Sequence, residues 1–289
     1  MNFFHVIILA IVQGLAELLP ISSSAHVIVA EELMGMNPAA PEMTLLLVML
    51  HTGTMFAVIV YFWQRWRRAF FQSAADFKRF AFVLVLATAL TGLVGGALIE
   101  GIEKLLFRGA PHAWIEQLFG RLDLIAPALA AAGVLILVAG LLEKRSAGAK
   151  TTGDSGMTAK QAGLIGAVQG LCLPFRGFSR SGATISTGML SGVPKARSED
   201  FSFALAVVLT PAAIAREAWR LIQMQHLQHG ATLVSATLPS VLGAFCAFLA
   251  GLVALKWLSR WLETGRWYLF GVYCLVAACA VELLHHFGF

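Results

Sequence analysis

The sequence has 289 residues, of which 58% are hydrophobic and 13% are charged, and its mean hydropathy is +0.77. A soluble domain carries about 25% charged residues, so this composition indicates an integral membrane protein. The net charge of +5 does not indicate a nucleic-acid partner, because Lys and Arg cluster in short loops between apolar runs, where they act as an orientation signal.

Six apolar segments are long enough to cross a bilayer, since roughly 30 Å of hydrocarbon takes about 20 helical residues. They cover approximately 42–64, 80–99, 124–142, 199–219, 236–258 and 267–285. Two further apolar regions, 2–35 and 159–193, are interrupted by Pro20 and Pro174 and by small hydroxyl residues. Each half is too short for a full crossing, so we expect two re-entrant helix–loop–helix hairpins.

The order of these segments predicts the architecture. A re-entrant hairpin followed by three spans occurs twice, and an odd number of spans turns the second copy upside down. The sequence therefore predicts an all-α integral membrane protein, with six transmembrane helices and two re-entrant hairpins arranged as an inverted repeat. The chain forms a single membrane domain, 1–289, with repeat 1 over about 1–145 and repeat 2 over about 158–289.

The basic residues predict the orientation. Fourteen Lys and Arg residues fall on one side of the predicted spans and five on the other. The side that is rich in Lys and Arg is cytoplasmic by the positive-inside rule, so both termini face outward. The first hairpin then enters from the outer face and the second from the cytoplasm, and their tips can meet inside the membrane.

The first broken region carries a carboxylate, three serines and a histidine. Gln13 and Glu17 are four residues apart and share a helix face. Glu17 must face the protein interior, where it is a packing carboxylate, a metal ligand or a proton-transfer group. Ser22–Ser24 precede His26, so Ser23 is a candidate nucleophile with histidine as its base. A serine at this position also suits a helix N-cap.

The second broken region offers the parts of a phosphate site. Arg180 supplies a guanidinium, Ser179, Ser181 and Thr184 supply hydroxyls, and a helix start supplies backbone N–H groups. Arg176 adds a second positive charge that either contacts phosphate or faces water at the loop edge.

Two structural alternatives stand beside these functional interpretations. Arg180 could form a structural salt bridge with Glu17 instead of binding phosphate. His51 is an ionisable residue within a predicted span, and a hydrogen-bonded packing role is favoured for it over a place in the cavity.

Together the two motifs resemble those of the undecaprenyl-diphosphatase family, also known as the bacitracin-resistance phosphatases. The resemblance rests on the Gln/Glu-x-x-x-Glu and Pro-x-Ser-Ser-x-x-His pattern of residues 13–26 and on Ser-Arg-Ser-Gly-Ala-Thr at 179–184, and it covers essentially the whole chain. Two departures are visible: Gln13 removes one anionic metal ligand, and Pro174-Phe175-Arg176-Gly177 replaces the shorter Pro-Gly of the family.

The resemblance implies an enzyme that hydrolyses undecaprenyl diphosphate to undecaprenyl phosphate and inorganic phosphate, recycling the carrier lipid for cell-wall peptidoglycan synthesis. It implies a divalent cation, Mg²⁺ or Ca²⁺, held by Glu17 and Gln13, and a place in the bacterial inner membrane. The implied partners are a polyprenyl diphosphate and membrane lipids, without nucleic acid; a homo-oligomer is left open. By matching position, Glu17, Ser23 and His26 are catalytic, whereas Ser179, Arg180 and Thr184 bind phosphate.

The predicted mechanism is attack by Ser23 on the terminal phosphorus, with His26 managing the proton and water hydrolysing the phosphoseryl intermediate. Direct attack by water, with Glu17 or His26 as base, remains an alternative. A different class of function also fits the inverted repeat, namely a secondary transporter or flippase of a phosphorylated lipid. The hydroxyl and imidazole beside a phosphate cradle favour the enzyme, because binding alone does not require them.

Overall fold

The fold is described from a computed structural model over residues 2–36, 41–106, 115–146, 157–227, 232–263 and 265–287. Every regular element in these ranges is helical. In chain order the α-helices are α1 Phe3–Leu18, α2 Ser23–Leu33, α3 Pro41–Phe70, α4 Ala74–Leu106, α5 Leu122–Ser146, α6 Ala159–Leu171, α7 Arg180–Leu190, α8 Lys195–Leu227, α9 Thr232–Glu263 and α10 Tyr268–His286. A short 3₁₀ helix, η1, covers Ile115–Leu118 before α5.

Six of these helices are long and apolar enough to cross a membrane, which confirms the prediction of six spans. The qualifying segments are Glu42–Phe70, Ala74–Leu106, Leu122–Glu143, Lys195–Arg216, Ala236–Trp261 and Tyr268–His286. The helices extend beyond the predicted apolar segments because a helix can continue past the hydrocarbon into the polar interface. Arg108 and Lys150, which enter the charge count, lie outside the described residues.

The remaining α-helices form two short pairs, α1–α2 and α6–α7. The 16 residues of α1 give a helix of only about 24 Å, and the other three helices are shorter. The chain breaks at both predicted places, after Leu18 and after Leu171, close to Pro20 and Pro174. Proline cannot donate a backbone hydrogen bond and ends a helix.

The loops between the short helices have distinctive backbones. Ser22 has a φ of +67° and is the sole non-glycine residue with positive φ in the described chain. Gly177 in the second loop has a φ of +98°, and a Cβ there would lie 2.6 Å from the carbonyl oxygen of Ile125. Glycine is the residue that tolerates this conformation and this closeness.

Glycines also set the close packing of the long helices. A Cβ at Gly53 in α3 would lie 2.1 Å from the carbonyl oxygen of Ala244 in α9. A Cβ at Gly166 in α6 would lie 2.2 Å from that of Ala87 in α4. Small residues at such contacts are typical of membrane helices, which gain stability from close van der Waals packing. This packing fixes α3 against α9 and α6 against α4. A Cβ at Gly14 in α1 would lie 2.7 Å from the carbonyl oxygen of Ala247, so α1 is also held closely against α9 and both loops are positioned.

Candidate active site

The loops of the two short-helix pairs meet inside the helix bundle. The Ser181 hydroxyl in α7 donates a hydrogen bond to the carbonyl oxygen of Leu19 at 3.2 Å. The backbone N–H of Gly177 donates to Ser24 Oγ at 3.3 Å. The first loop is also held by α10, where the thiol of Cys274 approaches the carbonyl oxygen of Pro20 at 3.4 Å. Residues about 160 positions apart therefore share one site.

Glu17 is the centre of this site. Arg180 Nη2 donates to Glu17 Oε1 at 2.7 Å, and the Ser23 hydroxyl donates to Glu17 Oε2 at 2.5 Å. Gln13 Nε2 also donates to Oε2, at 3.2 Å, as the spacing of four residues predicts. The charge that a membrane interior disfavours is thus compensated by an ion pair and by two hydrogen bonds.

Ser23 therefore hydrogen-bonds to a carboxylate and not to a histidine. It is the first residue of α2 and is half-buried. The strained backbone of Ser22 turns the chain sharply just before it. Because an ionised carboxylate only accepts hydrogen bonds, the Ser23 hydroxyl proton is directed at Glu17 and not at His26.

His26 has other partners. Its Nδ1–H donates to the carbonyl oxygen of Ser22 at 2.7 Å, which leaves Nε2 as the acceptor in the neutral ring. The hydroxyl of Tyr273 in α10 lies 2.7 Å from Nε2, and the two rings are stacked with centroids 5.7 Å apart. Both ring nitrogens are thus engaged away from Ser23.

Arg180 forms the salt bridge with Glu17 that the structural alternative predicts. The pair is not fully shielded, because 23% of the Arg180 side chain and 17% of the Glu17 side chain are exposed. The second terminal nitrogen, Nη1, is shielded from solvent and has no hydrogen-bond partner among the described residues. A guanidinium can bind two oxygens at once, so the salt bridge leaves a donor for a phosphate oxygen.

The hydroxyls of the second motif serve mainly the helices around the site. Ser179 caps α7 by accepting from the N–H of Gly182 at 3.2 Å. Thr184 is fully buried, donates to the Arg180 carbonyl oxygen at 2.8 Å and lies 2.6 Å from the Ser202 hydroxyl of α8. Ser181 binds Leu19, as described. Thr184 is therefore directed toward α8 and not toward Glu17.

Two further candidate residues, His51 and Arg176, lie at the edges of the site. His51 Nδ1–H donates to the Leu47 carbonyl oxygen at 2.8 Å, while Nε2 lies 3.9 Å from Glu17 Oε2. It therefore has both the packing role that was favoured and a place beside the carboxylate. The guanidinium of Arg176 lies over the ring of Phe119, 4.4 Å from its centroid.

Tyr273 was missed by sequence reasoning. It lies 247 residues beyond His26, and a single tyrosine in an apolar helix carries no periodic or motif signal. The oxygen donors of the site are the Glu17 carboxylate, the Gln13 amide and the serine hydroxyls, which suit a hard divalent cation. Among the described residues no group of three or more His, Cys, Asp or Glu could hold a metal ion.

Comparison with known proteins identifies the family of this chain. The model of a family described as bacitracin resistance protein BacA matches residues 6–280. The chain belongs to the BacA family. This chain is 56% identical over 287 residues to undecaprenyl-diphosphatase 2 of Acinetobacter baylyi, with 98% of both chains covered. It is 33% identical to undecaprenyl-diphosphatase of Rhodopirellula baltica, again with 98% of both covered.

A third BacA relative is undecaprenyl-diphosphatase 2 of Burkholderia ambifaria, which is 33% identical with 96% of this chain and 95% of the relative covered. The resemblance inferred from residues 13–26 and 179–184 is confirmed. The family is bacterial and the six apolar helices fit a multi-pass membrane protein.

Proposed function

We propose that this protein hydrolyses undecaprenyl diphosphate to undecaprenyl phosphate and inorganic phosphate. The observation that carries the proposal is the hydrogen-bonded series Ser23–Glu17–Arg180. It joins a hydroxyl, a proton acceptor and a phosphate-binding cation at the contact between the two loops. Relatives aligned over 98% of the chain carry the name of this activity.

The first step is attack by Ser23 on the terminal phosphorus. The Ser23 oxygen forms a bond to phosphorus, its proton passes to Glu17, and the phosphoanhydride bond breaks. The lipid monophosphate leaves with the electron pair of that bond. Glu17 takes the role of base that was predicted for His26, because the Ser23 hydroxyl donates to the carboxylate and the imidazole is engaged by Ser22 and Tyr273.

The second step is attack by water on the phosphoseryl group. Water forms a bond to phosphorus and gives up one proton to the solvent, the phosphorus–Ser23 bond breaks, the serine oxygen regains a proton from Glu17, and inorganic phosphate is released. The hydrogen bond from the Tyr273 hydroxyl fixes the His26 ring, which in turn holds the Ser22 carbonyl oxygen and so the turn that precedes Ser23. In the alternative mechanism, water attacks the diphosphate directly and Ser23 forms no bond to phosphorus.

Arg180 stabilises the phosphate charge. Its Nη1 has no hydrogen-bond partner among the described residues. Helix α7 also begins at Arg180. Fixed donors of this kind stabilise the charge that develops on a phosphoryl group during transfer. Ser179 and Ser181 hold the helix and the loop in place, and Thr184 anchors α7 to α8.

We also propose a divalent cation, Mg²⁺ or Ca²⁺, at Glu17 and Gln13. The support is the chemistry of the donors, which are a carboxylate and an amide carbonyl beside the phosphate position. Such a cation supplies charge neutralisation of the diphosphate. A single carboxylate suffices when phosphate oxygens complete the ligand set, as they do at many Mg²⁺ sites.

The proposed setting is the bacterial inner membrane, with both termini on the outer face. We infer that α1–α2 and α6–α7 are re-entrant hairpins and that the two halves of the chain form an inverted repeat. The helix order supports this arrangement, since a short pair followed by three long helices occurs twice. A transport function is not favoured, because relatives matched over the whole chain are named as diphosphatases. The proposal leaves self-association open.

The test is phosphate release by the purified protein from undecaprenyl diphosphate, with Mg²⁺, with Ca²⁺ and with EDTA. We expect release with a divalent cation and none with EDTA. Ser23→Ala should abolish release and the acid-stable labelling of the protein from terminally ³²P-labelled substrate. Ser240→Ala is the matched control, because the Ser240 hydroxyl is buried in α9 without a hydrogen-bond partner. Near-normal release by Ser23→Ala would contradict the covalent route.

A further inference from the structure

An apolar groove of about 510 Å³ lies between the end of α4, η1 and the beginning of α5. Its wall includes Ile102, Leu118, Leu124, Ala131 and Phe178. Arg176 is the single charged residue among the described residues that line it. Ligand pockets span about 300–1,000 Å³ and are mostly apolar with a few placed polar groups, so the groove has the size and the composition of a binding site.

The groove shares a wall with the candidate active site. Pro174, Phe175, Arg176 and Phe178 all line it, and they belong to the loop that leads directly into Ser179 and Arg180. Gly177 in the same loop donates its N–H to Ser24 on α2. The backbone of this loop thus contacts the first short-helix pair, and its side chains line the groove.

Arg176 lies in this loop, between the groove and the first short-helix pair. Its guanidinium lies over the Phe119 ring and attracts the carboxylate of Glu31 on α2. Glu31 is only 2% exposed, and its Oε1 has no hydrogen-bond partner. A positive charge therefore lines an otherwise apolar groove, in the loop that contacts α2. One charge beside an apolar surface matches a molecule with an anionic head and a hydrocarbon tail.

We propose that this groove holds the first isoprene units of the polyprenyl diphosphate and that Arg176 binds the phosphate that stays on the lipid. The proposal rests on the proposed function, because it assigns the two ends of that substrate. Arg180 then holds the phosphate that is cleaved, and Arg176 holds the phosphate that leaves with the product. The bilayer interior is as apolar as the groove, so the groove supplies alignment and not hydrophobic affinity.

The experiment compares a long and a short substrate in the full-length protein. Ala131→Trp and Ala128→Trp fill the groove from α5, whereas Val138→Trp on the same helix is a matched control on the exposed surface outside it. Substrates are undecaprenyl diphosphate and isopentenyl diphosphate, whose five carbons do not extend along the groove. Because misplacement of the reacting atoms is costly, we expect kcat/KM for the long substrate to fall about tenfold or more in the groove variants. The short substrate should change little.

Arg176→Ala should lower kcat/KM for both substrates by about tenfold, because both contain the phosphate next to the lipid and a charged hydrogen bond is lost. Arg176→Lys should recover part of that loss. If the wild type hydrolyses neither substrate, the proposed function fails together with this inference. If the wild type hydrolyses both and the groove variants affect them equally, or not at all, the groove binds something else, such as a structural phospholipid, and only this inference fails.

A second measurement covers the case in which a tryptophan variant does not fold. A polyprenyl diphosphate with a photoreactive group on its second isoprene unit is incubated with the wild type and irradiated. Labelled peptides from the end of α4 and the beginning of α5 are the expected result. Labelling confined to other helices would overturn the assignment.

Discussion

At the scale of single residues, Glu17 combines roles that the sequence presents as alternatives. It is a packing carboxylate paired with Arg180, it accepts a hydrogen bond from the Ser23 hydroxyl, and in the proposed mechanism it also takes the Ser23 proton. The two roles support each other. The salt bridge holds the Glu17 carboxylate in place, and the proposed mechanism uses this fixed position because the base must lie within hydrogen-bond reach of the Ser23 hydroxyl.

Gln13→Glu tests the proposed cation ligands. A second carboxylate binds a hard cation more strongly than an amide carbonyl does, because affinity follows the charge of the ligands. We therefore expect the Mg²⁺ concentration that gives half-maximal activity to fall severalfold, as measured by phosphate release over a Mg²⁺ titration. Gln161→Glu, at the start of α6, adds the same charge outside the site and is the control. An unchanged or increased Mg²⁺ requirement would show that residue 13 is not a ligand.

Tyr273→Phe tests the role of the α10 tyrosine. The change removes the hydroxyl that lies 2.7 Å from His26 Nε2 but keeps the stacked ring. A typical hydrogen bond contributes about 1 kcal/mol, so kcat should fall about fivefold while KM stays near the wild-type value. If Tyr273 only packs, the variant will keep its kcat, and its pH–rate profile will match that of the wild type.

At the scale of elements, a network of charged and polar side chains connects α3, α8 and α9 at a position outside the active site. Arg65 in α3 lies 3.1 Å from Glu199 Oε2 and 2.9 Å from Asp200 Oδ1 in α8. Ser259 in α9 donates to Glu199 Oε1 at 3.1 Å and accepts from the hydroxyl of Tyr61 at 2.9 Å. The Glu199 side chain is only 3% exposed, so the pairing compensates a charge that has little access to water.

Arg65→Ala should destabilise the protein by about 1–2 kcal/mol, because it leaves the buried Glu199 carboxylate without its partner, while the 35% exposure of the Arg65 side chain reduces the strength of the pair. The melting temperature of the purified protein in detergent measures the effect. Arg67→Ala and Arg68→Ala are matched controls, since both arginines lie in the same helix turn and are exposed. Equal melting temperatures for all three variants would mean that the Arg65 network does not stabilise the bundle.

Gly166→Ala tests the packing that holds the second loop. Its Cβ would lie 2.2 Å from a backbone oxygen of α4, so the two helices must separate. We expect a lower melting temperature and lower activity. Gly96→Ala in α4 adds the same methyl group where nothing lies within 4 Å, and it should be neutral or stabilising. Similar effects of the two changes would contradict the role of this contact.

At the scale of the whole molecule, the six long helices and both breaks follow from composition and from two prolines. These features are local, so they can be predicted from the sequence. The pairing inside the site is not local. Ser23 and Glu17 lie on opposite sides of a turn whose shape depends on the positive φ of Ser22, and Tyr273 reaches His26 from the last helix. Thr184 belongs to the motif but is directed to α8 by helix packing.

The orientation remains a prediction that a reporter can test. In the proposed arrangement of six crossings and two re-entrant hairpins, both ends of the chain should lie on one side, and the Lys and Arg distribution puts that side outside. Alkaline phosphatase fused after residue 289 should be active, whereas green fluorescent protein fused at the same place should not fluoresce. Fusions after residue 72, between α3 and α4, should give the reverse. The opposite pattern would invert the proposed topology.

The contact between Glu17 and Arg180 also has a consequence for biosynthesis. The two residues are 163 positions apart, and ribosomes add about 5–20 residues per second, so Arg180 is made roughly 8–30 s after Glu17. During that time the newly inserted first half contains the Glu17 carboxylate but not the Arg180 guanidinium that pairs with it. It must remain protonated, hydrated or close to the membrane surface until the second half arrives. Completion of the second half is therefore the event that brings the Glu17 carboxylate together with the guanidinium that pairs with it.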